Sequence, residues 1–98
     1  MVSCNTQTSL EGTIVLAACD KELIGQTFEE GELNINVSEI YYGGEIITIE
    51  QFAEKLEKCH IANLVGERVV NKAKELGYVS EANIITIQGT PHAQVFSL

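Results

Sequence analysis

Ninety-eight residues with 45% apolar content make one globular domain rather than two, and the chain carries a net charge of −8 from fourteen acids against six bases. The longest apolar run, Ile14 to Cys19, is far short of the roughly 18 residues of a membrane span. The opening residues, Met1-Val2-Ser3-Cys4-Asn5, lack the basic flank and apolar stretch of a secretory signal, so a cytoplasmic location without membrane contact is expected.

The charge is uneven. Residues 1–49 hold eight acids and only Lys21, whereas residues 50–98 hold six acids and five bases. Such a surface repels phosphate and disfavours direct nucleic-acid binding, for which only Lys55, Lys58, Arg68, Lys72 and Lys74 could form a basic patch. A basic protein is the electrostatically easier partner, set against the plainer role of a solvated, solubilising face. Cys4, Cys19 and Cys59 are odd in number and spaced unlike a disulfide or zinc framework, which fits a reducing compartment.

In chain order, Val2 to Gln7 alternates weakly and predicts a strand, joined through Thr8-Ser9-Leu10-Glu11 as an antiparallel hairpin to the β-rich run Gly12 to Cys19. That run is apolar on both faces, as the middle strand of a covered sheet requires. Asp20 is placed to cap a brief helical turn through Lys21, Glu22, Leu23 and Ile24. Leu33, Ile35 and Val37 alternate with Asn34 and Asn36, the period of a strand with one wet face. Tyr41-Tyr42-Gly43-Gly44 reads as a turn in which one tyrosine enters the core, with a stacking platform as the functional alternative.

Thr48 and Gln51 have capping-box spacing and Ile47 and Phe52 that of a hydrophobic staple, so a helix is predicted from Ile49. It cannot run unbroken to Gly77. The apolar face of Ile49, Phe52, Ala53 and Leu56 and that of Val65, Val69, Ala73 and Leu76 differ in direction by roughly 140° at 100° per residue. Two helices, about 49–58 and 63–76, are therefore predicted, broken around Cys59 to Ala62, with Asn63 as second N-cap and Gly77 closing a Schellman turn. Asn83 to Gln88 and Ala93 to Leu98 then form strands joined by the four-residue loop Gly89-Thr90-Pro91-His92. The fold expected is α+β: a small mixed, mostly antiparallel sheet of about five strands packed by two helices.

The candidate functional residues follow from these placements. Pro91 fixes the backbone beside His92, whose imidazole suits a general base or ligand; a rigid turn is the plainer account. On the second predicted helix, Asn63, Glu67, Asn71 and Lys74 share a stripe about 80° wide, ordinarily only the wet side of an amphipathic helix. Gly66 within that helix implies close packing of another backbone, and Arg68 could hold a carboxylate or a partner's chain end. Two histidines and scattered acids offer no metal-ligand set, and the chain has no P-loop, dinucleotide fingerprint, paired CxxC or HExxH. No cofactor is expected.

Four segments carry a resemblance: Val15-Leu16-Ala17-Ala18-Cys19-Asp20, Tyr42-Gly43-Gly44-Glu45, Ile61-Ala62-Asn63-Leu64-Val65-Gly66-Glu67-Arg68 and Pro91-His92-Ala93-Gln94. In this order and spacing the chain resembles the small archaeal family known as domain of unknown function 424, although Ser3 to Ser9 is more polar than that family's first strand. The resemblance implies an archaeal, intracellular protein and directs attention to Asn63, Gly66, Glu67, Arg68 and His92, without supplying an activity. The leading expectation is a non-enzymatic accessory domain for a protein or ribonucleoprotein partner, the translation apparatus included. The alternative is a small enzyme or ligand-binding protein with His92 as base, Glu67 as its carboxylate partner and Arg68 as anion anchor.

Overall fold

The computed structural model describes residues 1–96. In chain order the strands and helices are β1 (Val2–Thr8), β2 (Ile14–Asp20), β3 (Thr27–Glu30), β4 (Leu33–Asn36), α1 (Glu39–Tyr42), β5 (Glu45–Ile47), α2 (Ile49–Lys58), β6 (Ile61–Val65), α3 (Glu67–Glu75), β7 (Ile85–Ile87) and β8 (Thr90–Phe96), with 3-10 turns at Lys21–Leu23 and Glu81–Asn83. Six strands form one sheet in the order β5-β1-β2-β6-β8-β7, and β3 and β4 form a separate two-stranded hairpin. Only β2 and β6 are parallel; every other neighbouring pair is antiparallel. The α+β class with a mixed, mostly antiparallel sheet is thus as predicted, with six main strands instead of five and a third, one-turn helix.

The two faces of the sheet are covered differently. On one side Val2, Cys4, Leu16, Ala18, Ala62, Leu64, Ala93 and Val95 lie beneath Phe52 and Leu56 of α2 and Val69, Val70 and Ala73 of α3. Full burial of side chains such as Phe52, Leu56 and Leu64 contributes about 1.5–3 kcal/mol each, which holds the helices down. On the other side Ala17, Cys19 and Val65 are covered by Val37 and Tyr42, with Leu23, Ile24, Phe28 and Ile35 packed around them. Leu16 to Cys19 are consequently buried on both faces, as the continuous apolar run requires.

α2 begins at the predicted residue. Thr48 Oγ1 accepts from the Gln51 amide, and the Gln51 side chain accepts from the Thr48 amide, so both halves of the capping box are formed. It ends at Cys59, and the next residue is held by β2: the His60 amide donates to the Ile14 carbonyl at 2.9 Å, and His60 Nδ1 accepts from the Ile14 amide at 2.9 Å. This anchorage turns the following residues into a strand. Ile61 to Val65 pair with Val15 to Cys19 on one side and with Phe96 to His92 on the other.

The predicted helix 63–76 is therefore corrected to a strand, 61–65, followed by a helix that starts at Glu67. Leu64 and Val65 are both fully buried, one on each face of the sheet, which a helix lying on its surface could not achieve. Asn63 is a strand residue and not an N-cap, and Leu76, expected in the core, is 46% exposed at the helix end. The predicted end is otherwise correct: the Gly77 amide bonds the Lys74 carbonyl, and the Tyr78 amide reaches back to Ala73.

The last hairpin is tighter than predicted. Ile87 pairs with Thr90, so Gln88-Gly89 alone form the turn and Pro91 and His92 belong to β8. Pro91 is tolerated there because its missing amide would face a carbonyl already in use. The Pro91 carbonyl accepts from the Gly66 amide at 2.9 Å, while the Gly66 carbonyl accepts from Val70 in the first turn of α3. The Ser97 and Leu98 end of the predicted last strand lies outside the described residues. No helix among the described residues is long and apolar enough to cross a membrane.

Candidate functional site

Because β2 and β6 run parallel, their C-terminal ends, Asp20 and Val65, lie close together, and the chain leaves β6 through Gly66 directly into α3. Gly66 has φ 119° and ψ 154°, a conformation that L side chains rarely adopt. Its missing side chain leaves room for another. Asp20, 5% exposed, places Oδ2 at 3.1 Å from the Arg68 amide and Oδ1 at 3.1 Å from the Val69 amide. Asp20 thus caps α3 across the fold and makes no side-chain cap on its own 3-10 turn, where the sequence placed it. Its negative charge also sits favourably at the positive end of the helix dipole.

Arg68 turns outward to Glu22. Its Nη2 lies 2.5 Å from Glu22 Oε1 and its Nη1 3.1 Å from Glu22 Oε2, a two-pronged pair, and Nη1 also reaches the Met1 carbonyl at 3.2 Å. The Glu22 carboxyl is held below its ordinary range by its own backbone amide and by the Arg68 guanidinium, and the guanidinium is correspondingly held above its own. Opposite this pair stand Gly89, Thr90 and Pro91, and with Glu67 the two walls enclose a crevice of about 240 Å³. The crevice carries three carboxylates, Asp20, Glu22 and Glu67, against one guanidinium. A helix N-terminus ordinarily receives an anion, but here the Asp20 carboxylate occupies that place, so the crevice repels a phosphate.

The predicted site residues divide among five locations. Glu67, Arg68 and Pro91 meet in the crevice beside Gly66. His92, the next residue along β8, lines a separate hollow of about 340 Å³ with Asn83, Ile85, Gln94 and Phe96 at the outer edge of the sheet. Burial lowers the pKa of its imidazole. Asn63 lies on the second face, donating to Tyr41 Oη at 2.6 Å and accepting from Gln94 Nε2 at 2.8 Å. Gly43 and Gly44 line a further hollow of about 390 Å³ with Ser3, Lys21, Ile24, Glu39 and Ile46.

Tyr42 is the tyrosine that enters the core. Burial pushes its phenol up to about 12, and its ring meets that of the exposed Tyr41 edge-on at 4.9 Å. The polar stripe drawn through Asn63, Glu67, Asn71 and Lys74 does not exist as one ridge, since Asn63 belongs to β6 and the others to α3. Nor do His92 and Glu67 share a cavity.

Asp20, Glu22 and Gln94 were missed as site residues, and Tyr41, considered only as part of a stacking platform, instead accepts from Asn63. Only Asp20 and Gly66 carried a usable signal, an acid ending one buried strand and a glycine ending another just before a helix. Among the described residues no group of three or more His, Cys, Asp or Glu side chains is placed to hold a metal ion.

Comparison with known proteins adds the lineage. No curated protein matches the chain significantly. An uncharacterised conserved protein from Methanopyrus kandleri, an archaeon, has a crystal structure that superposes with a TM-score of 0.79 at 24% identity, covering 99% of this chain and 93% of that one. At that identity the likeness establishes the fold. The family model described as "Protein of unknown function (DUF424)" matches residues 8–98, and the chain belongs to that family.

Proposed function

We propose that the protein is a cytoplasmic, non-enzymatic accessory domain that binds a basic partner protein, free or within a ribonucleoprotein. The supporting observation is how its charges are spent. Among the described residues Lys55 pairs with Glu45, Arg68 with Glu22, Lys72 with Glu75 and Lys74 with Glu81, leaving only Lys21 and Lys58 outside an ion pair. Of the fourteen acids only those four are so engaged. Glu29, Glu30 and Glu32 crowd the tip of the β3–β4 hairpin, and Glu50, Glu54 and Glu57 recur at helical spacing on the exposed side of α2. Such a surface attracts cationic protein and repels nucleic acid.

Affinity capture tests this reading. The immobilised protein should retain a basic protein at about 50 mM salt and lose it near 0.5 M, where screening shortens the reach of exposed charges. The triple variant Glu50→Lys, Glu54→Lys, Glu57→Lys or its counterpart at Glu29, Glu30 and Glu32 should weaken capture. Retention of naked RNA, or capture indifferent to both salt and charge reversal, would contradict the proposal.

A further inference from the structure

We infer that the outer edge of β8, at Gln94 and Phe96, receives an extended segment of the basic partner as an added strand; this rests on the binding role proposed above and names how the partner is held. The direction of the backbone groups follows from one bond. The Pro91 carbonyl accepts from Gly66, so residues 91, 93 and 95 point their amides and carbonyls toward β6, and residues 92, 94 and 96 point theirs away.

On the outer side β7 serves only the first part of β8, with Ile85 opposite His92. One register step further along β7 would put Asn83 opposite Gln94, but Asn83 instead closes the 3-10 turn Glu81–Asn83, its amide bonded to the Ser80 carbonyl. Gln94 and Phe96 therefore have no backbone partner on that side among the described residues. An open edge of this kind is a template for an extended chain, and main-chain pairing supplies the affinity.

The surroundings specify what fits. The hollow of about 340 Å³ lies along this edge, and Phe96 and Ile85, 67% and 48% exposed, stand beside it on either side of His92. A strand added opposite Gln94 and Phe96 would lay every second side chain on the face that carries Phe96 and Ile85, which calls for apolar residues at alternate positions. At low salt, where charges act over about 30 Å, the net charge of −8 on the whole domain favours Lys or Arg over Asp or Glu at the intervening positions. A second copy of this chain is the wrong occupant, because it brings the same negative charge to the contact. The opposite edge of the sheet, where β1 runs past β5 at Thr6 to Thr8, offers only polar side chains.

The probe is a short synthetic peptide of alternating Val and Lys, compared with its Val–Glu counterpart and with a version N-methylated on every second amide. Added to ¹⁵N-labelled protein at low salt, the Val–Lys peptide should slow amide exchange at Gln94 and Phe96 by about tenfold or more. Thr6 and Thr8 should be unaffected, and the other two peptides should give no protection. Set against Gln94→Ala, which gives up only the side-chain bond to Asn63, Gln94→Pro gives up the outward-facing amide as well and should lower the peptide affinity by about tenfold with the fold retained. Should that variant fail to fold, the N-methylated peptide still decides. Binding of the Val–Lys peptide without protection of Gln94 and Phe96, or no binding of it at all, overturns strand addition. Equal protection by the Val–Glu peptide overturns the charge requirement. The basic-partner reading stands or falls separately, on the salt-dependent capture.

Discussion

Replacing Gly66 by alanine tests the junction on which the crevice depends. A Cβ built there would lie 2.5 Å from Asp20 Cγ and 2.8 Å from Oδ1, at a φ of +119° that an alanine rarely adopts. The strained backbone costs of order 1–3 kcal/mol. Displacing the Asp20 carboxylate from the Arg68 and Val69 amides costs about 0.5–2 kcal/mol more, the usual worth of a helix cap. The expected loss is thus about 1.5–5 kcal/mol, a large share of a small domain's stability, and it lowers the melting temperature by about 6 °C or more. Urea unfolding of wild type, Gly66→Ala, Asp20→Ala and the double variant forms a cycle. Gly66→Ala should cost less in the Asp20→Ala background, because the collision is gone and only the backbone strain is left. An additive cycle, or a single-variant cost below about 1 kcal/mol, would refute the argument that Gly66 exists to admit Asp20.

Other outcomes follow from single groups. Thr48→Ala removes one half of the α2 capping box and should cost about 1 kcal/mol; a neutral result in denaturant unfolding would mean that the box adds nothing to α2. Burial lowers the His92 pKa from 6.5, so NMR titration should place its midpoint below that value. Between the folded and unfolded pKa values the unfolded chain holds the extra proton. The stability due to His92 neutrality is therefore complete above about pH 6.5 and declines as the pH falls toward the folded pKa, and His92→Gln should flatten that slope. Burial pushes the Cys4 thiol up to about 11 and the Cys19 thiol up to about 12, and raises Cys59 as well. A thiol reagent at pH 8 should then find all three free cysteines inert until the protein is unfolded, and fast labelling of any one in the native state would contradict their burial.

Parts of this fold were legible because their causes are local. Thr48, Gln51, Ile47 and Phe52 define the start of α2 within six residues, and the run through Leu16 to Cys19 has no wet side, so it could only be an inner strand. The divided apolar phase between residues 49 and 76 also showed that one straight helix was impossible. The segment just after the break was misassigned for a physical reason. Five residues, Ile61 to Val65, are too few to separate a helical from a strand period by pattern alone. Of the candidate residues, Glu67, Arg68 and Pro91 line one crevice, whereas His92, expected beside Glu67 and Arg68, lies in another hollow and Asn63, Tyr42, Gly43 and Gly44 lie elsewhere.

What the sequence by itself determined is the class of the protein and its charge: an acidic α+β domain with α2 in place, a central two-sided strand and six cations against fourteen acids. What only the tertiary structure decided is the nature of residues 61–65 and the roles of Asp20 and β8. Ile61 to Val65 become a strand because β2 lies on one side and β8 on the other, with apolar layers above and below. Asp20 caps a helix whose first turn lies 48 residues further along the chain, and among the described residues Gln94 has no outer strand partner because Asn83 turns away. Backbone groups and buried carboxylates must find partners wherever the packed chain brings them, and that pairing is settled by contacts remote in sequence.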